Sequence, residues 1–137
     1  MVVEERHHGY RLERSFEQRD RSAPATARCL VRELEPLGND PRRDLTIVAS
    51  ELVANAVRHA PQVPGGQVRL VIDASDDGIR VEVHDPGQGF DPTPSAPGEG
   101  GLGLVIVSQM ADEWGIDAGG HTSVWCVLRP DARTTET

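Results

Sequence analysis

Glu51, Asn55, Arg58 and His59 fall at i, i+4, i+7 and i+8 of one stretch with helical apolar spacing. On a helix they project from roughly one side, turned away from the stripe of Leu45, Val48, Leu52 and Ala56. A carboxylate, an amide oxygen and a guanidinium that converge suit a phosphate and its metal ion. An amide oxygen is the hard kind of ligand that Mg²⁺ accepts while keeping several waters. For this stretch alone, a solvated polar helix face explains the same pattern.

Two glycine-rich segments add to it. Asp85-Pro86-Gly87-Gln88-Gly89 directly follows an alternating run. A carboxylate at a strand end can accept a hydrogen bond from an exocyclic amine. Adenine carries such a donor at N6, whereas guanine has an acceptor there, so Asp85 would select adenine. Gly87 and Gly89 would let the backbone approach a flat base. By itself Asp-Pro-Gly is also an ordinary turn. Gly98-Glu99-Gly100-Gly101-Leu102-Gly103-Leu104 opens an apolar helix. Backbone N–H groups at a helix N-terminus make a phosphate site. The segment is not a P-loop, because no Gly-Lys-Ser/Thr follows, and no βαβ unit makes it a dinucleotide fingerprint.

The elements that must position these residues are legible in outline. Tyr10, Leu12 and Phe16 alternate with Arg11, Glu13 and Ser15, which predicts a strand. Ser22 with Pro24 predicts the start of a helix to about Leu37, with Ala27, Leu30, Val31 and Leu34 on one face. The second helix is predicted over 42–59. Val68 to Ile72 and Ile79 to Val83 read as strands joined by an Asp76-Asp77-Gly78 hairpin turn. Leu102 to Ala111 reads as a helix. Trp114 to Asp117 and Ser123 to Leu128 read as strands around Gly119-Gly120. The expected fold class is α+β: a two-layer α/β sandwich whose mixed, mainly antiparallel sheet is covered on one face by about three helices. The expected division is a flexible N-terminus over 1–9, one domain over 10–130 and a polar tail over 131–137.

Length and charge bound the rest. At 137 residues the chain suits one domain. All 14 basic residues are arginine, against 22 acidic ones, for a net charge of −8. Up to Ala60 the two signs balance, ten against ten; from Pro61 onward four arginines face twelve carboxylates. That balance argues against direct nucleic-acid binding, which needs a basic face. No run approaches a membrane helix, and Met1 to Tyr10 is charged, unlike a signal peptide. Cys29 and Cys126, far apart, read as buried thiols of a reducing compartment, so the expected localisation is cytoplasmic. His84 and His121 read as strand-surface residues. Trp114 and Trp125 read as core or sheet-face packing.

Taken in order, Glu-Leu-Val-Ala-Asn-Ala-Val-Arg-His, Asp-Pro-Gly-Gln-Gly and Gly-Glu-Gly-Gly-Leu-Gly-Leu resemble the N, G1 and G2 boxes of the Bergerat-fold (GHKL) ATPases. That superfamily includes gyrase, heat-shock protein 90, histidine kinases and MutL. Within it, Ser50-Glu51 leading into Val53-Ala54-Asn55-Ala56 is most similar to the bacterial anti-sigma-factor serine/threonine kinases. The resemblance spans about Tyr10 to Arg129. It implies ATP and Mg²⁺ as cofactors, with Asn55 on the metal and Glu51 as general base for a hydroxyl of a protein partner. It implies Asp85 on the adenine amine, with Gly87 and Gly89 shaping the base pocket. Gly98, Gly100, Gly101, Leu102, Gly103 and Leu104 would hold phosphates. Arg58 takes a place where histidine kinases often put a phosphate-binding base, and His59 matches a common N-box position. Implied partners are a sigma factor and an antagonist protein that is phosphorylated. A homodimer paired through the N-terminal strand is also implied.

One departure bears on catalysis. The lid segment, Phe90 to Pro97, is short and proline-rich, and no arginine occurs between Arg80 and Arg129. Phosphoryl transfer depends on positioning and charge neutralisation, so a lid without a cation favours a competing reading. In that reading the chain is an ATP-sensing adaptor that binds a partner without transferring phosphate. A detached histidine-kinase catalytic domain fits less well, because Glu51 stands where those kinases usually carry an amide.

Overall fold

Alternation of apolar and polar residues builds the sheet. A computed structural model describes residues 2–6, 9–33, 39–59, 63–75, 77–86, 102–119 and 121–129. In chain order the elements are β1 (Val2–Arg6), β2 (Gly9–Glu17), α1 (Ala23–Arg32), α2 (Asn39–His59), β3 (Gln67–Ser75), β4 (Gly78–Asp85), α3 (Leu102–Met110), β5 (Glu113–Gly119) and β6 (His121–Leu128). The described strands form one sheet in the order β1-β2-β3-β4-β6-β5, antiparallel at every pairing. The α+β sandwich is therefore as expected, with a sheet that is antiparallel throughout.

One face of the sheet is covered. Leu12, Phe16, Val68, Leu70, Ile72, Val81, Val83, Val124 and Cys126 point into it and are almost wholly buried. Against them lie Ala23, Ala27 and Val31 of α1, Leu45, Val48, Leu52 and Val53 of α2, and Val107 of α3. Each fully buried Val or Leu contributes about 1.5–3 kcal/mol relative to exposure. The opposite face carries no helix among the described residues, and it is built mostly from the polar positions of the same strands, with Val71, Trp125 and Val127 among them.

Several expectations change in detail. The segment expected to be a flexible N-terminus contains β1, which pairs with β2 from Val2↔Glu13 to Arg6↔Gly9. Its sequence does not alternate, so period-2 reading had no purchase, and an existing sheet edge supplies its partners. Because β2 is flanked by β1 and β3, the strand left at that edge is β1. Ser22 makes no side-chain cap on α1. Its hydroxyl and its N–H both donate to Asp20 Oδ1, at 2.5 and 2.9 Å. Cys29 is exposed, since it falls off the Ala23-Ala27-Val31 stripe, whereas Cys126 is buried as expected; both are free thiols. Trp114 is 40% exposed, on an edge strand that the helices leave largely uncovered. Trp125 does pack on the sheet face, beneath the guanidinium of Arg80 at 4.5 Å. His84 and His121 lie on the open face, as expected. The β3–β4 turn closes at Ser75↔Gly78, with Gly78 at φ +145°, a region that favours glycine. No helix among the described residues is long and apolar enough to cross a membrane.

Candidate functional site

Topology gathers the candidate residues at one end of the sheet. β2 ends, β3 begins and β4 ends there, because Glu17 pairs with Gln67 and Arg69 pairs with His84. β6 begins there too, since Asp85 pairs with Thr122. The helices are tied to the same end by Gln18, which is 2% exposed. Its side-chain oxygen accepts the Val63 N–H at 2.9 Å, and its own N–H donates to the Gly66 carbonyl at 3.2 Å. The segment before α1 is thereby bonded to the segment after α2. A Cβ on Gly66 would come within 2.8 Å of the Val63 backbone carbonyl oxygen, so this junction needs glycine. The C-terminal end of α3 is anchored at the far end of the sheet by the bond from Asp112 N–H to Val127 O, 2.9 Å. A nine-residue helix spans about 13 Å, and α3 packs against α2.

Besides Gln18 and Ser123, three buried polar side chains lie towards this end. Asp85 closes β4 at 5% exposure, Asn55 lies one turn from the end of α2 at 6%, and Thr122 on β6 is fully buried. Asn55 was grouped with a polar helix face that a solvated-surface reading would also explain. Its burial removes that reading for Asn55. α2 is packed by α1, by α3 and by the sheet, so more than one of its sides is enclosed. Glu51, one turn earlier, is half-buried, and Arg58 is exposed. Ser50 is also buried, but its hydroxyl donates to the Ile47 carbonyl at 3.0 Å, a bond within the helix. His59 is the last residue of α2, and Leu102, Gly103 and Leu104 form the first turn of α3. Gly87, Gly89, Gly98, Gly100 and Gly101 lie outside the described residues.

Sequence reasoning missed Thr122 and Gln18. A signal for Thr122 existed. Along β6 the positions 122, 124, 126 and 128 face the core, and three of them are Val, Cys and Leu. A threonine in that register is a polar group at an apolar position. Gln18 had no such signal, because it follows a strand in an irregular turn.

An amide oxygen, a carboxylate and a hydroxyl, all buried at the mouth of an otherwise apolar layer, can hold a polar ligand. Residues 16–127 match the histidine kinase-like ATPase domain. The chain belongs to this family. The histidine kinase-like ATPase match runs from β2 to β6, so it takes in Asn55, Asp85, Thr122 and both glycine-rich segments. Serine-protein kinase RsbW of Staphylococcus epidermidis is 34% identical over 90 residues, covering 54% of this chain and 57% of RsbW. RsbW sequences from two strains of that organism give the same figures. The chain thus spans about half the length of the curated relatives it matches.

Proposed function

We propose that this histidine kinase-like ATPase domain binds ATP with Mg²⁺ and acts as a serine/threonine-protein kinase of the anti-sigma-factor type. It would phosphorylate an antagonist protein and sequester a sigma factor. The observation that carries the nucleotide part is the burial of Asp85 beside Thr122 at one end of the sheet, together with that of Asn55 near the end of α2. In this reading Asp85 accepts from the adenine amine and the Thr122 hydroxyl lies beside it on the neighbouring strand. The Asn55 amide oxygen is a fitting Mg²⁺ ligand, and the metal supplies charge neutralisation on the phosphates. Arg58 and His59 close the same end of α2. Backbone around 98–104 takes the phosphates. Glu51, half-buried and one turn from Asn55, removes the proton from the partner's hydroxyl. The similarity to RsbW supports the kinase reading. The domain is taken as 10–130 extended by β1, with a cytoplasmic location and a homodimer through the β1 edge.

Calorimetric titration with ATP, with and without Mg²⁺, tests the site. Mg²⁺-dependent binding should weaken by roughly 100-fold in Asp85→Asn, the loss of a hydrogen bond to a charged group worth up to about 3 kcal/mol. Unchanged affinity would sink the assignment of Asp85. Glu51→Ala should keep ATP binding and lose transfer to a partner. A second reading, the ATP-sensing adaptor, is favoured by the absence of arginine between Arg80 and Arg129. It is the outcome if wild type binds ATP and no phosphoprotein forms with any bound partner.

A further inference from the structure

His84 precedes Asp85 and His121 precedes Thr122, so alternation puts both histidines on the open face, behind the candidate nucleotide site. They sit diagonally across β4 and β6. His84 Nδ1 lies 3.4 Å from His121 Nε2, with ring centroids 5.5 Å apart and planes tilted by 39°. That distance is long for a hydrogen bond between nitrogens. It is the spacing of two nitrogens on one tetrahedral metal ion: two Zn–N bonds of about 2.0–2.1 Å put their nitrogens about 3.4 Å apart.

The far side of His84 is already fixed. Its Nε2–H donates to Glu82 Oε1 at 2.9 Å, which leaves Nδ1 as the nitrogen with a lone pair. A carboxylate behind a histidine in this way orients metal-ligating imidazoles and raises their basicity. Glu82 is held in turn, because Arg80 Nε donates to its other oxygen at 2.7 Å and the guanidinium rests on Trp125. Around the pair, Asp117 is the register partner of Ser123 on the same face and adds negative charge. Arg69, the register partner of His84, opposes it, but its guanidinium lies 3.6 Å from the Glu13 carboxylate.

We propose that His84 and His121 form a two-histidine site for a divalent transition-metal ion of the Zn²⁺ class, with Glu82 as the positioning residue behind His84. Among the described residues no three His, Cys, Asp or Glu side chains gather closely enough to hold a metal, so water completes the coordination and the affinity is modest. Imidazole ligands select Zn²⁺, Cu²⁺ or Ni²⁺ over Mg²⁺. The site is therefore chemically separate from the Mg²⁺ proposed at Asn55 on the covered side, and it stands without the nucleotide reading. Its effect is a clamp between the ends of β4 and β6.

The test is calorimetric titration of the tag-free full chain with Zn²⁺, without nucleotide, next to a thermal melt. One equivalent should bind and raise the melting temperature, since the metal binds the folded pair; Mg²⁺ should do neither. His84→Ala and His121→Ala should each weaken that equivalent at least tenfold. Glu82→Gln should weaken it several-fold, and a His7→Ala/His8→Ala double variant should keep it. Absence of a Zn²⁺ event in wild type overturns the site, and so does unchanged binding in either single histidine variant. His121 is exposed, so if His84→Ala fails to fold, His121→Ala decides.

Discussion

The two faces of the sheet use the same strands and opposite chemistry. On the open face Arg11, Asp73 and Arg80 follow one another across β2, β3 and β4 in register. Arg11 bonds Asp73 at 3.3 Å and Glu13 at 2.7 Å, and Arg80 bonds Glu82 at 2.7 Å. These pairs are partly exposed, where ion pairs contribute little and polar residues cost little. On the covered face the strands are largely apolar, with Arg14 over Phe16 and, at one end, Asp85 and Thr122 side by side. A polar side chain therefore means different things on the two faces. On the open face it is the default. On the covered face it is the exception, and it has to be held by a partner once water is excluded.

The largest contrast is in thiol chemistry. Burial pushes the Cys126 thiol from 9.0 up to about 12, with Arg80 pulling weakly the other way. That cuts its thiolate fraction roughly 1000-fold near neutral pH. Cys29 is exposed on α1. Native protein at pH 8 should label one thiol quickly with an aromatic disulfide reagent, and a second only on unfolding. Two fast thiols would mean the covered face is open. Next in size, Leu70→Ala should lose about 2–5 kcal/mol by urea unfolding, since Leu70 is fully buried. Glu13→Gln, one register pair away on the open face, should lose under about 1 kcal/mol, and less in high salt. Equal losses would erase the distinction between the faces.

Thr122→Val probes where the covered face departs from its own rule. ATP affinity should fall roughly tenfold, about 1.4 kcal/mol and within the range for one lost hydrogen bond, while the loss of stability should stay within about 1.5 kcal/mol. A clear loss of stability with unchanged ATP affinity would make Thr122 a structural residue.

How much of this was readable from the sequence follows from the same physics. β2, β3, β4 and β6 were legible because one face is buried and one wet, which imposes period 2. β1 was not, because Val2-Val3-Glu4-Glu5-Arg6 does not alternate, although it pairs with the next strand across only two residues. Asp85 and Asn55 were singled out by their place in the three segments. The burial of Asn55 was hidden, because a single helical wheel shows one apolar stripe and α2 is packed on several sides. Thr122 and Gln18 depend on strand register and on a turn bonded to a loop 45 residues away, neither of which local spacing reveals.

The smallest expected effect lies on the open face, at Glu82. Burial pushes its carboxyl up, but hydrogen bonds from Arg80 and His84 outweigh that and hold it below the ordinary 4.5. A carboxyl lowered in the folded state adds stability that is full above the ordinary value and is lost as pH falls through the folded one. Wild type should therefore exceed Glu82→Gln by under about 1 kcal/mol at pH 7, as expected for a partly exposed pair. The two unfolding curves should converge as pH drops below 4.5. A gap that widened in acid would have the wrong sign for a paired carboxylate. A gap as large as that of Leu70→Ala would show that the open face is held as tightly as the covered one.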